Sequence, residues 1–261
     1  MPAARRLVIS PSTESPDLRR DLLVETLRAV LPHDALVVSG RGLRGRLGLV
    51  GKETVTLSLG APAGADAIAV DALAPLWVRD HAVSLDGGPS VLAVSTGADS
   101  PIAADDLAAA ATAVAGEIDL GAIRIVQLAD RDAAATKQLA RAFRRVTDLP
   151  VTVVSHTGSV PDTVATIAAT NLFLSHDDTA VAVARSLHTP SASIVGQHDL
   201  TSLYLTIRAA AEHTDTAADD DLRGARALAF ALDAWARGRM STEDLRAAVT
   251  NPSRIDELVG A

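Results

Sequence analysis

Residues 163–196 read TVATIAATNLFLSHDDTAVAVARSLHTPSASIVG. Apolar residues at helical spacing predict a helix over 163–170, and Asn171-Leu172-Phe173-Leu174 reads as a short apolar strand. The polar cluster Ser175, His176, Asp177, Asp178 and Thr179 follows, then an Ala-rich helix and a second strand over 191–195. That is an α-β-α-β unit whose polar residues fall where a strand ends and a helix begins. In open α/β sheets ligands sit in the crevice beyond the carboxyl ends of the strands, and a helix N-terminus there favours anions.

The same alternation extends upstream. Strands are predicted at 91–95, 123–128 and 151–154, separated by helices at 103–115 and 133–146. Asp105 and Asp106 open the first of these helices, while Arg141, Arg144 and Arg145 lie toward the end of the second, as the helix dipole prefers. Strands alternating with helices of this length mean βαβ units and a parallel sheet. Nearer the N-terminus come strands at 7–9, 35–38 and 54–59, and a helix to about residue 31 that Ser15 or Asp17 can cap. Asp86-Gly87-Gly88-Pro89 reads as the linker. After Val195 only helices are expected, over 203–211, 219–236, from the capping signature Ser241-Thr242-Glu243-Asp244, and in a short last turn at 251–259. The predicted fold is therefore α/β, with two Rossmann-like domains (GT-B-like) built on parallel sheets. They span residues 1–86 and 87–200, and 201–261 form a C-terminal helical tail packing back on them.

Composition narrows the function. Hydrophobic residues make up 48% and charged residues 21%, an ordinary globular mixture. The absence of cysteine removes disulfide and thiolate chemistry and fits a reducing compartment. A net charge of -8 with no basic stripe argues against nucleic acid as partner. No apolar run approaches the roughly 20 residues of a membrane span. Arg5 and Arg6 precede only Leu7-Val8-Ile9 before Ser10-Pro11, too little for a signal-peptide core. A cytoplasmic protein without a membrane span is expected, and a homo-oligomer is compatible with the sequence. Aromatic residues are 2% of the chain, so stacking platforms for sugars or bases have few candidates beyond Trp77, Tyr204 and Trp235.

Gly40-Arg41-Gly42-Leu43-Arg44-Gly45 has the G-x-G-x-x-G spelling of a dinucleotide cradle. Gly48 and Gly51 interrupt the helix that should follow, and the next strand begins too soon for a crossover. The turn reads instead as a place where Gly40 and Gly42 let the backbone approach a substrate.

Three short motifs in order carry a resemblance to the polysaccharide pyruvyl transferase family. They are the stretch 34–42 (Asp, apolar strand, Gly-rich loop), the stretch 51–60 (Gly-Lys, apolar strand, Gly), and Val78-Arg79-Asp80-His81-Ala82-Val83-Ser84. Residues 171–194 are similar to the C-terminal unit of that family, with Asp177 where its Arg belongs, Thr179 where its His belongs and Pro190 at the closing Pro. The same unit resembles heptosyltransferase-type GT-B glycosyltransferases: Asp177 matches the opening Asp, Asp178-Thr179-Ala180 replaces Thr-Gly-Pro, and Ala182 stands where a His is usual. The resemblance covers roughly residues 7–196. It implies a transferase that moves a group from an anionic or nucleotide-linked donor to a sugar-like acceptor, without a resident cofactor.

The candidate catalytic residues are His176, Asp177 and Arg79. His176 is a general base for a sugar hydroxyl, with Asp177 to orient it or bind a ligand; alternatively Asp177, Asp178 or Thr179 only caps the following helix. Arg79 is a bidentate clamp for carboxylate or phosphate, or else the partner in a structural ion pair. Ser12, Gly40, Gly42, Ser95, Arg131, His156, Thr179, Gln197 and His198 are candidate substrate-binding residues, placed by topology at strand ends. The Asp130-Arg131-Asp132 turn also reads as solvated surface, and His188 as the C-terminal cap of its helix. No metal is expected, since His156, His176 and Asp177 lack metal-ligand spacing. An Asp at the Arg position would repel a dianionic donor by roughly a few kcal/mol. A third reading is therefore a catalytically inactive homologue that acts as a binding or scaffold subunit.

Overall fold

The computed structural model describes residues 5–9, 15–32, 35–38, 53–58, 67–69, 73–81, 90–197, 199–212 and 218–250. The glycine turn at 40–45, Ser12, the linker 86–89, His198 and the segment 251–259 lie outside the described residues. The elements run β1 (Arg5–Ile9), α1 (Leu18–Val30), β2 (Leu36–Val38), β3 (Glu53–Ser58), β4 (Ala67–Ala69) and α2 (Ala74–Asp80). Next come β5 (Val91–Ser95), α3 (Ala104–Glu117), β6 (Ala122–Gln127), a 3-10 turn (Asp130–Asp132), α4 (Ala133–Val146), β7 (Val151–Ser155) and α5 (Val160–Ala168). The chain continues through β8 (Leu172–Ser175), α6 (Asp178–Ser186), β9 (Ser191–Ser193), α7 (Leu200–Glu212), α8 (Ala218–Ala236) and α9 (Thr242–Thr250). No described helix is long and apolar enough to cross a membrane.

The chain is α/β and divides into two compact units. One comprises Met1–Glu14, Arg19–Trp77 and Asp220–Ala261, and the other Ser15–Leu18 and Val78–Asp219. The residues expected as a helical tail are thus shared: α7 belongs to the second unit, while α8 from Asp220 onward and α9 belong to the first.

In the first unit β2, β1, β3 and β4 form a four-stranded parallel sheet in that order. Its core joins Leu7 of β1, Leu23 and Leu27 of α1, Leu73 just before α2 and Leu76 within it, and an apolar stripe of α8 that ends at the fully buried Trp235. The Trp235 indole N–H donates to Thr242 Oγ1 at 2.8 Å, and the Arg5 guanidinium lies 5.7 Å from the ring centroid. Arg5 also donates to the carbonyl of Trp235 at 3.1 Å and to that of Met240. β4 and α2 were not foreseen from the sequence. Arg79, expected at a strand end, lies in the last turn of α2: Pro75 fits a helical first turn, and the apolar run through Val78 is helical.

The second unit holds a five-stranded, all-parallel sheet in the order β7-β6-β5-β8-β9. Every residue of β5 and β8 is buried. Leu92, Val94, Ile123, Ile125, Leu172 and Leu174 face α3, α4 and α7. On the other face the Arg124 guanidinium donates to the Thr166 carbonyl at 3.2 Å, which places α5 there, and α6 packs beside α5. Right-handed crossovers require this arrangement. From β5 to β7 the chain winds toward one edge, and from β8 to β9 it winds toward the other. The direction reverses between β5 and β8, so the loops that follow these two neighbouring strands part and leave a crevice.

Local chemistry sets the helix ends. α5 starts three residues before the predicted boundary because Ser159 accepts a hydrogen bond from the Asp162 N–H and Pro161 occupies the first turn. α3, α6 and α8 each end with a left-handed residue, Asp119 (φ 54), His188 (φ 55) and Gly238 (φ 74). At His188 its own N–H bonds the Arg185 carbonyl and the next N–H bonds the Ala184 carbonyl, the paired closure of a Schellman motif. The expected capping role of His188 is met in this form.

Two outcomes follow for the first unit. Gly238→Ala forces a Cβ into the left-handed region and should lower stability by about 1 kcal/mol in urea unfolding. Trp235→Ala empties the centre of the core and should cost about 3–5 kcal/mol.

Candidate functional site

Ser95 ends β5 and Ser175 ends β8, and the two are paired in register. Beyond them the chain reads Thr96-Gly97-Ala98 on one side and His176-Asp177-Asp178 on the other. The His176 imidazole lies against the Gly97 backbone so closely that a Cβ at position 97 would fall within 2.8 Å of Nε2, Cδ2 and Cε1. Glycine is therefore the residue that seats the ring. His176 Nδ1 is buried and has no hydrogen-bond partner, and the Ser95 hydroxyl, fully buried, likewise has none.

The walls of the crevice are fixed by hydrogen bonds. Asp132, only 2% exposed, accepts from the Ala98 N–H at 3.1 Å and pins the loop after β5. Ser175 Oγ accepts from the Asp177 N–H at 2.9 Å, and Asp177 Oδ1 accepts from the Ala180 N–H at 3.0 Å. Asp177 is thus the N-cap of α6. Asp178 Oδ1 accepts from the Ser193 hydroxyl at 3.0 Å, which ties α6 to β9. Thr179 is buried in the first turn of α6.

The remaining candidates divide between this edge and other places. His156 follows β7, is buried, and its Nδ1 lies 2.8 Å from Thr163 Oγ1, so the ring braces the start of α5. Arg131 pairs with Asp17 at 2.8 Å. The segment around Asp17 runs along the loop after β6, with the Leu18 N–H on the Leu128 carbonyl and the Asp130 N–H on the Pro16 carbonyl. Gln197 sits in the turn after Gly196, half-buried, its N–H directed at the Ile194 carbonyl. Arg79 is exposed in the last turn of α2. Among the described residues no group of three or more His, Cys, Asp or Glu is placed to hold a metal ion.

Sequence reasoning missed Gly97 and Asp132. A single glycine two residues past a strand carries no motif, although Ser-Thr-Gly at a strand end is itself a turn signal. Asp132 was read as part of a solvated turn, whereas it is buried against the Ala98 N–H while Arg131 turns to Asp17. The arrangement offers an imidazole at His176 whose Nδ1 meets no protein partner, held against the Gly97 backbone. No protein-family model matches this sequence, and no curated protein matches it.

Replacing the cap tests the account of Asp177. Asp177→Ala should lower stability by about 1 kcal/mol, and Asp177→Ser should retain most of it. Equal losses in thermal unfolding would remove Asp177 from the capping role.

Proposed function

We propose that the protein is a divergent transferase of the polysaccharide pyruvyl transferase type, moving a group onto a hydroxyl of a sugar-like acceptor. In this reading the two units are Rossmann-like and the organisation is GT-B-like. The observation that carries it is His176, seated on Gly97 at the head of the crevice between β5 and β8 with Nδ1 unpartnered. A histidine placed between a helix N-terminus and the reversal point of a parallel sheet suits proton transfer to or from a bound hydroxyl. The imidazole removes the hydroxyl proton as that oxygen bonds to the donor's carbon; with a nucleotide sugar the diphosphate leaves with the electron pair of the broken C–O bond, and with phosphoenolpyruvate the methylene carbon takes up a proton before phosphate leaves in the same way. Asp177 holds α6 in place and is a positioning residue. Two parallel sheets in separate units also agree with a GT-B nucleotide-sugar glycosyltransferase, which differs in its donor.

A second reading is an inactive homologue serving as a binding subunit. It is favoured by the engagement of Asp177 on Ala180 and of Arg131 on Asp17, which occupies two groups otherwise free for a donor.

Thermal unfolding with phosphoenolpyruvate, nucleoside diphosphates and nucleotide sugars separates these readings. A donor at 100 times its dissociation constant should stabilise the protein by about 2.7 kcal/mol, a shift of a few degrees. Transfer to a sugar acceptor from the donor so identified should fall about 100- to 10,000-fold in His176→Ala. Stabilisation by no donor, with no transfer, would leave the binding-subunit reading.

A further inference from the structure

We infer that β7, at the edge of the five-stranded sheet, is a docking site for an extended acidic segment of another protein. The segment pairs with β7 as an added strand while its carboxylates meet Lys137, Arg141 and Arg144 of α4. This edge is separate from the crevice between β5 and β8 and does not depend on the transferase reading.

β7 is built as an open template. Among the described residues it pairs only with β6, in unbroken parallel register. The Ile123 N–H bonds the Pro150 carbonyl and the His156 N–H bonds the Gln127 carbonyl, so the even-numbered residues of this stretch face β6. Val151, Val153 and Ser155 therefore turn their N–H and C=O groups to the open side. Edge strands are ordinarily guarded by a charged side chain, a proline or a bulge, and Val-Thr-Val-Val-Ser has none of these. Its β-branched residues suit strand pairing, and Val153 is 44% exposed. An extended segment laid along this edge supplies the missing donors and acceptors at the matching period.

Charge selects the partner. Residues 133–155 carry Lys137, Arg141, Arg144 and Arg145 against a single carboxylate, Asp148, in a chain of net charge -8. Arg145 is taken by Asp105, whereas Lys137, Arg141 and Arg144 are exposed and form no ion pair with any described residue. α4 packs on β6 and β7 with α3 beside it. A right-handed crossover puts α3 on the β5 side, where Ala142 is buried. The helical turn then sets Lys137 and Arg144 on the flank over the free edge, with Arg141 facing outward beside them. Along the helix axis these cations stand about 6 Å and about 4.5 Å apart, near the roughly 6.6 Å between alternate residues of a strand. The segment that fits therefore carries Asp or Glu at alternate positions. A second copy fits poorly, because antiparallel pairing of β7 with itself sets two α4 helices side by side and brings their unpaired cations together. Nucleic acid has no row of amides to offer the open strand.

The test uses the full chain, 15N-labelled, with a short end-capped peptide of alternating Glu and Val as the probe. The same peptide with Lys in place of Glu, and a short oligouridylate, are the controls. The Glu-Val peptide should shift the amide signals of Val151, Val153 and Ser155 saturably and slow their exchange with solvent, while the Lys-Val peptide leaves them in place. Lys137→Glu, Arg141→Glu and Arg144→Glu together should weaken that binding about tenfold. Val153→Pro removes an N–H that no bond to β6 uses, so it should keep the fold and abolish the binding. If that variant does not fold, the charge variant keeps the test in force. Absence of binding by the Glu-Val peptide, equal binding by the Lys-Val peptide, or binding undiminished in the charge variant would overturn the inference. Tighter binding of oligouridylate would overturn it in favour of RNA. A dimer in sedimentation that Val153→Pro dissociates would overturn it in favour of a second copy.

Discussion

Burial of β5 and β8 on both faces is the constraint on which the second unit depends. Val91 through Ser95 and Leu172 through Ser175 are buried without exception, so neither face of the sheet centre can be left to water. Helices must cover both, and parallel neighbours can be joined only by crossovers long enough to contain them. With right-handed crossovers the two halves of the sheet are wound in opposite directions, and the loops after β5 and β8 part. The crevice is therefore a by-product of covering two apolar faces, and its residues are those that happen to end the two central strands.

What makes this crevice more than a topological gap is the way its polar groups are apportioned. Asp132, Asp177, Asp178 and Ser175 each meet a hydrogen-bond partner in the walls. Ser95 Oγ and His176 Nδ1 do not. Buried polar groups are nearly always paired, and these two belong to a small set of exceptions among the described residues that also includes the hydroxyls of Thr112, Thr136 and Ser191. Gly97 contributes by lacking a side chain, since any Cβ there would expel the imidazole.

The first unit shows the same logic in a different form. Its sheet is short, and its core is completed from the far end of the chain by α8 and α9, with Trp235 as the central side chain. Arg5 links β1 to this helical layer through the Trp235 and Met240 carbonyls and the indole face. Residues more than 200 positions apart in sequence thus form one core.

Period and punctuation alone determined the α/β class, the succession of β5 through β9 along the chain and the approximate bounds of most helices, because those depend on local apolar spacing and on capping signatures such as that at Ser241. α4 spans the predicted residues 133–146 without a shift, since Leu139, Ala140 and Phe143 mark its buried face. α2 and β4 were not legible: each is short, and no periodic signal builds up over so few residues. The site divides in the same way. His176 and Asp177 could be picked out as polar residues between a strand and a helix, and so could the choice between cap and ligand for Asp177. Only the tertiary structure decided that Asp177 is spent as a cap, that Arg131 is tied to Asp17, that His156 braces α5, and that Gly97 seats His176. Arg131 with Asp17 and Gly97 with His176 join segments far apart in the chain, and even the local contacts of Asp177 and His156 are choices among side-chain partners of which hydrophobic spacing holds no record.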